Sequence, residues 1–170
     1  MIKKSIQDNI LNSVAKHIAF AVNSEGKNEC GFAGQICKYW PELADIGEHE
    51  IGTVLSKTVG NRTFHALVCH SLDDGWGENQ DEIIKECFDK IPASGEEIAT
   101  IAIGTGFVGK YSGADFGQII CGMQDSYQSI DLYSSYSLDI INNMYTEAKN
   151  KKQKVKEKSI ILDLNNSGMI

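Results

Sequence analysis

Ile98-Ala99-Thr100-Ile101-Ala102-Ile103-Gly104-Thr105-Gly106-Phe107-Val108-Gly109 is an apolar run that ends in three spaced glycines. The run predicts a buried central strand over 98–103. The glycines behind it leave N–H groups unshielded by any Cβ, so the backbone can close around phosphate oxygens. The spacing also satisfies the GxGxxG fingerprint of a nicotinamide dinucleotide (Rossmann) enzyme, and Asp125 and Asp131 lie downstream, where a ribose-binding carboxylate would be sought. Two features count against that reading. A Rossmann motif opens its helix within the glycines, whereas Lys110-Tyr111-Ser112-Gly113 is expected to delay the helix, and the motif stands two-thirds of the way along the chain rather than at its start. A merely structural tight turn is the third alternative.

Working outward, helix and strand patterns alternate. His17 to Asn23 is a short apolar run ending in the turn signal Asn-Ser-Glu-Gly, and Phe32, Ile36, Tyr39 and Trp40 keep helical spacing up to Pro41. Residues 52–59 and 63–70 read as strands paired about Gly60-Asn61-Arg62. Ile83, Ile84, Cys87, Phe88 and Ile91 define one face of a helix over 80–91, and Phe116, Ile119, Ile120 and Met123 one face of a helix with Ser112 as its expected N-cap. A strand over 129–133, a helix from Leu138 to about Lys152 and an extra C-terminal strand over 159–164 complete the reading. The expected fold class is α/β, a three-layer α/β/α sandwich with a central mixed sheet. One domain over residues 1–150 is followed by a lysine-rich tail over 151–170.

Composition narrows the functional classes. Residues 149–170 carry six lysines against Glu157 and Asp163, a net +4 that leaves the first 148 residues at −11 within the chain's −7. An acidic body argues against nucleic acid as a partner. The lysine run reads as a solvated helix end and linker, or as a contact for an anionic partner. Arg62 is the lone arginine, so a bound anion would rely on backbone N–H groups and helix N-termini. The five cysteines are scattered with no Cys-x-x-Cys pair, which argues against a disulfide framework or zinc knuckle. No metal and no cofactor are expected. Neither a membrane span nor a secretory leader is apparent, so a cytoplasmic location is expected.

A second glycine-rich loop, Gly26-Lys27-Asn28-Glu29-Cys30-Gly31-Phe32-Ala33-Gly34, also joins a strand end to a helix start. Two such loops at the carboxyl ends of strands would face one crevice, with room for a diphosphate between them. At these residues the sequence resembles the macrodomain family, in order from about residue 6 to 135. Ile18 to Ser24 is similar to its strand with an Asn-containing turn, and Glu29 to Ile36 to its Gly-Gly-(Val or Ile)-Ala loop and first helix. Gly52-Thr53-Val54 and Phe64 to His70 are similar to its next two strands, and Ala102 to Gly109 to its second phosphate loop. The resemblance implies binding of ADP-ribose, free, phosphorylated or attached to a protein. It places Asp8 at the adenine amino group, with Asn9 and Ile10 beside it; a one-residue shift would put Asn9 there. It places Asn23, Gly31, Phe32 and Ala33 around the distal ribose and first phosphate loop, and Gly104, Thr105, Gly106, Phe107, Val108 and Gly109 around the second.

Catalytic residue types are where the chain departs from that family. One hydrolase group carries Asn or Asp close to the first loop, but Gly31-Phe32-Ala33-Gly34 offers no carboxylate. Another pairs a strand lysine with a loop aspartate, and here His70 and Val108 hold the matching places. His70 is the remaining candidate catalytic residue, a general acid or base for an ADP-ribose 1″-phosphate phosphatase or a de-ADP-ribosylating hydrolase. An ordinary strand-end histidine in a non-catalytic binding module is the alternative.

Overall fold

The computed structural model describes residues 1–168. Six strands, β1 (Ile2–Ile6), β2 (His17–Asn23), β3 (Val54–Val59), β4 (Arg62–His70), β5 (Ile98–Ile101) and β6 (Ile130–Tyr133), form one sheet in the order β1-β6-β5-β2-β4-β3. All neighbours run parallel except the β3–β4 hairpin, so the sheet is mixed. The helices are α1 (Gly31–Ile36), α2 (Gln80–Asp89), α3 (Phe107–Tyr111), α4 (Phe116–Asp125) and α5 (Leu138–Asn166), with short 3-10 turns at Ile10–Asn12 and Pro41–Ala44.

Strand alternation divides the core in two. Ala19, Leu67, Cys69, Ile98, Ile130 and Leu132 face α2, α4 and α5 through Ile84, Phe88, Ile119, Met123 and Ile141. Ile18, Phe20, Val22, Phe64, Ala66 and Val68 face the other way, onto Ile36, Trp40 and Leu43. With side chains at successive residues pointing to opposite faces, each strand feeds both layers, as a sheet covered on both sides requires.

Several expected boundaries shift. β1 was not apparent from sequence, because Lys3 and Lys4 interrupt its apolar pattern; it is an edge strand, where exposed lysines discourage pairing with another chain. Ser112 is not the N-cap of α4. Its hydroxyl donates back to Val108 O at 2.8 Å, closing α3, while Asp115 caps α4 by accepting from Gln118 N. The second glycine motif therefore does open a helix, five residues long, where Lys110-Tyr111-Ser112-Gly113 was expected to delay one.

The C-terminal strand expected over Ser159–Leu164 is also corrected: those residues continue α5. The lysine-rich residues before them are good helix formers that propagate the helix already begun after Ser137, its N-cap. Lys149 and Lys152 do not belong to a solvated linker. They form ion pairs with Asp125 of α4 and Asp81 of α2, docking the helix on the acidic body. No helix among the described residues is long and apolar enough to cross a membrane.

Candidate functional site

β2 and β5 are neighbours, yet they pair only over His17–Ala19 and Ile98–Thr100. Beyond Ala19, β2 continues to Asn23 alongside β4 alone, so the sheet splays open between β2 and β5 toward their carboxyl ends. The chain leaves β2 for α1 on one face and leaves β5 for α4 on the other. This is the topological switch point at which open α/β sheets place ligands.

Both glycine loops lie at that point. Gly31 has φ +63° and a Cβ there would meet nothing within 4 Å, so it turns the chain into α1 without closing the surface in front of it. Gly34 is packed on Glu29 O, which a Cβ would approach to 2.4 Å. In the second loop, Gly104 (φ +82°) lies against Ile119 and Ala114, and Gly109 lies against Gly104 itself. Gly106, the N-cap of α3, faces open space. Neither Cys30 nor Gly106 caps its helix with a side chain. The first-turn N–H groups, of Gly31, Phe32 and Ala33 and of Phe107, Val108 and Gly109, have no i−4 carbonyl within their helices. Phe32 packs edge-on to Phe20, whereas Phe107 is 85% exposed and lies nearly parallel to Tyr111. Thr105 is occupied within its own turn, its hydroxyl donating to Ala102 O at 2.6 Å.

The first loop is stitched rather than free. Asn23 donates from Nδ2 to Lys27 O and accepts from Lys27 N, and Asn28 is buried with Nδ2 donating to Leu43 O. Asn23 thus closes the turn that presents α1. Gly26 (φ +78°) abuts Gly47, whose carbonyl oxygen a Cβ would meet at 2.1 Å. Gly26→Ala is expected to lower stability by about 2 kcal/mol or more, through left-handed backbone strain and this overlap, dropping the melting midpoint by roughly 4–8 °C; differential scanning calorimetry reads it.

Glu25 ties this loop to the one after β4. Its carboxylate accepts from Ser71 Oγ at 2.7 Å and Leu72 N at 2.9 Å. Desolvation opposes its charge, but these hydrogen bonds prevail and hold its pKa down to about 2.

His70 ends β4 in register with Asn23. It is 7% exposed, its ring lies 13° from parallel to Trp76, and its Nδ1 stands 4.0 Å from Cys69 Sγ. Burial lowers its pKa, with the charge of Glu25 pulling the other way, so the imidazole is neutral at pH 7. Trp76 N donates to Ser112 O at 3.0 Å, joining His70's cover to the second glycine loop. The sequence reading did not single out Glu25, Asn28 or Trp76; a lone aromatic in the polar stretch 71–79 was the available signal for Trp76.

Asp8, Asn9 and Ile10 follow β1 on the same edge of the sheet. Asp8 is exposed, and its Oδ1 accepts from Asn9 N and Asn12 Nδ2. Asn9 caps the 3-10 turn by accepting from Leu11 N, and Ile10 is buried. A groove of about 510 Å³ between Lys4, Asn12, Lys16, Glu96, Glu97 and Tyr133 reaches toward the amino ends of β2 and β5 and includes none of Asp8, Asn9 and Ile10. Asp8–Ile10, Asn23, the two glycine loops and His70 therefore all lie at carboxyl ends of parallel strands. Of the cysteines, Cys69, Cys87 and Cys121 are buried, Cys37 is half-buried and Cys30 is exposed, all as free thiols.

This architecture is the macrodomain fold. No family model matches the chain, and no curated protein matches its sequence. Among solved structures it is similar to the macrodomain of Mycobacterium tuberculosis DarG, at 15% identity and a TM-score of 0.61, over 80% of this chain and 99% of that one. It is similar to the Thermus aquaticus DarG macrodomain at 17% identity and TM-score 0.56, over 79% and 98% of the two chains. An Oceanobacillus iheyensis macrodomain solved with ADP matches at 17% identity and TM-score 0.54, over 91% of each. An alphavirus polypeptide also matches, at 13% identity and TM-score 0.59 over 88% of this chain, which spans about a quarter (24%) of that polypeptide.

Proposed function

We propose that the chain binds ADP-ribose or a derivative, free, phosphorylated or protein-linked, with the diphosphate held between the two glycine loops. The observation that carries this reading is the pair of uncapped helix starts at the β2–β5 switch point. Their free N–H groups are neutral donors aimed where an anion gains most from the backbone dipoles, which suits a chain with one arginine and a net charge of −7. In this reading Asp8, whose Oδ2 has no partner among the described residues, accepts from the adenine amino group. The ADP complex of a neighbour with the same fold supports the ligand class. The free thiols suit a reducing compartment, consistent with the cytoplasm.

Titration calorimetry with ADP-ribose, ADP and NAD tests this. ADP-ribose is expected to bind more tightly than ADP, with NAD weakest; NAD binding without ADP-ribose binding would overturn the reading.

His70 favours a second reading, hydrolysis of ADP-ribose 1″-phosphate or of an ADP-ribosyl bond. A buried imidazole kept neutral can accept a proton from an attacking water at neutral pH. Phosphate release from the 1″-phosphate ester, compared between wild type and His70→Ala, decides it: turnover that is absent, or unchanged in the variant, removes His70 from any catalytic role.

A further inference from the structure

Helix α5 runs on past the body that it packs against. Over its first part, Ile141 and Ala148 are buried, Tyr145 is half-buried with its hydroxyl donating to Asp125 at 2.7 Å, and Lys152 pairs with Asp81. These residues recur at alternating steps of four and three, which keeps them on one stripe of the helix surface. The same steps continue to Val155, Ser159 and Leu162, where the stripe has nothing of its own body to face. Beyond Ala148 no described residue is buried. At 1.5 Å per residue, residues 149–166 extend over about 25 Å.

This overhang is poorly equipped to stand alone. Lys151 and Lys154, Lys152 and Lys156, and Lys154 and Lys158 are like charges three or four residues apart, which repel along a helix. Against them stands a Gln153–Glu157 hydrogen bond of 3.3 Å. A lone helical segment of this length is marginal in water, and Val155, Ile160, Ile161 and Leu162 are each more than half exposed. The segment therefore calls for a cover. Its apolar residues fall on two sides, Val155 and Leu162 on the body-facing stripe and Ile160, Ile161 and Leu164 roughly opposite. A membrane surface suits a helix that is apolar on one side and draws it down with anionic lipids, whereas this body, at −11 over residues 1–148, is repelled by such lipids. A second protein can cover both sides.

We propose that the cover is a second copy of this chain, its overhang lying antiparallel to the first about a two-fold axis. Charge placement selects the direction. Residues 151–158 carry five lysines against Glu157, whereas residues 159–166 carry Asp163 and no lysine. A parallel pair would set lysines against lysines. An antiparallel pair centred between Lys158 and Ser159 sets Val155 beside the other copy's Leu162 and Lys154 beside its Asp163, each contact occurring twice by symmetry. Ile160, Ile161 and Leu164 of each copy then reach the root of the other helix, where it leaves its own body. The lysines of both copies lie between the two acidic bodies and offset their repulsion.

Sedimentation velocity of the full chain is expected to show monomer giving way to dimer between about 1 and 100 µM, the range of a short interface. Val155→Glu combined with Leu162→Glu alters exposed residues and is expected to weaken the dimer at least tenfold while the melting midpoint of the body is kept. Asp163→Lys is expected to weaken it about tenfold at low salt, and Lys154→Asp in the same chain to restore it. Oxidative cross-linking reads the direction. Ser159→Cys, next to the two-fold axis, is expected to link copies at least tenfold faster than Lys151→Cys, and Lys151→Cys copies to link to Asn166→Cys copies rather than to one another. A chain that stays monomeric at about 100 µM, a dimer indifferent to Val155→Glu with Leu162→Glu, or Lys151→Cys copies linking to one another as fast as Ser159→Cys copies would each overturn the proposal. So would a monomer that co-sediments with phosphatidylglycerol vesicles, which would assign the overhang to a membrane instead.

Discussion

Gly106→Asp is expected to weaken ADP-ribose binding by about 30-fold while leaving the fold as stable as before, or slightly more so. Gly106 has φ −75° and ψ 172°, an extended conformation open to any residue, and a Cβ there meets nothing within 4 Å. Aspartate is among the preferred N-cap residues and improves on glycine by a few tenths of a kcal/mol. Its carboxylate, however, would occupy the α3 N–H groups and stand beside the diphosphate. Two unit charges about 5 Å apart at an effective dielectric near 20 repel by roughly 3 kcal/mol; with salt screening, about 2 kcal/mol remains, or roughly 30-fold in Kd.

Gly106→Asn separates charge from cap. It too is a good N-cap, but it is neutral, so it is expected to lose only a small part of the affinity. Calorimetric titration of the three proteins, with melting curves alongside, gives the comparison. Equal binding by wild type and Gly106→Asp would place the ligand elsewhere, whereas a fall in the melting midpoint would trace the loss to misfolding.

How far such a site can be read in advance depends on what each residue's pattern encodes. The 98–103 run and the glycines after it locate a strand and a loop because a buried strand needs continuous apolar residues and a left-handed turn such as Gly104 needs glycine. β1 escapes that logic, since half of its surface is an exposed sheet edge and Lys3 and Lys4 carry no periodic signal. The Ile160-Ile161-Leu162 run misleads in the opposite sense: β-branched residues suggest a strand, but the helix established before them continues through them. Within the site, residue types did not reveal occupation. The sequence does not show that the Asn23 amide closes the turn to Lys27. Likewise the sequence places His70 at a strand end but does not show that Trp76 covers it. The hydrogen-bonded run from Ser56 through His65 and His17 to Glu96 was illegible because its members come from three strands and a loop, up to 79 residues apart at the His17–Glu96 contact.

Acidification from pH 7 to 4 is expected to cost the fold about 3 kcal/mol through His65 alone. Its folded pKa, about 4, lies below the ordinary histidine value of about 6.5 because burial, and then the neighbouring His17, oppose protonation. The native state therefore binds a proton less readily than the unfolded chain. Stability rises with pH wherever the unfolded state binds more protons; the His65 contribution is complete above pH 6.5, is lost as pH falls through the interval down to about 4, and changes no further below it. A difference of roughly two to three pKa units corresponds to about 3 kcal/mol at 1.36 kcal/mol per unit. Carboxylates with lowered pKa, such as Glu25 at about 2, add their own loss only as pH drops below about 4.5, so the upper part of the interval belongs chiefly to buried histidines. His70 is one of these as well, and only a substitution separates the two. His65→Leu removes the titrating ring while retaining an apolar side chain in the same fully buried position. Urea midpoints at pH 7, 5.5 and 4 are expected to fall steeply in wild type and less steeply in His65→Leu, converging toward the acid end. Parallel pH profiles for the two proteins would mean that His65 is not held neutral.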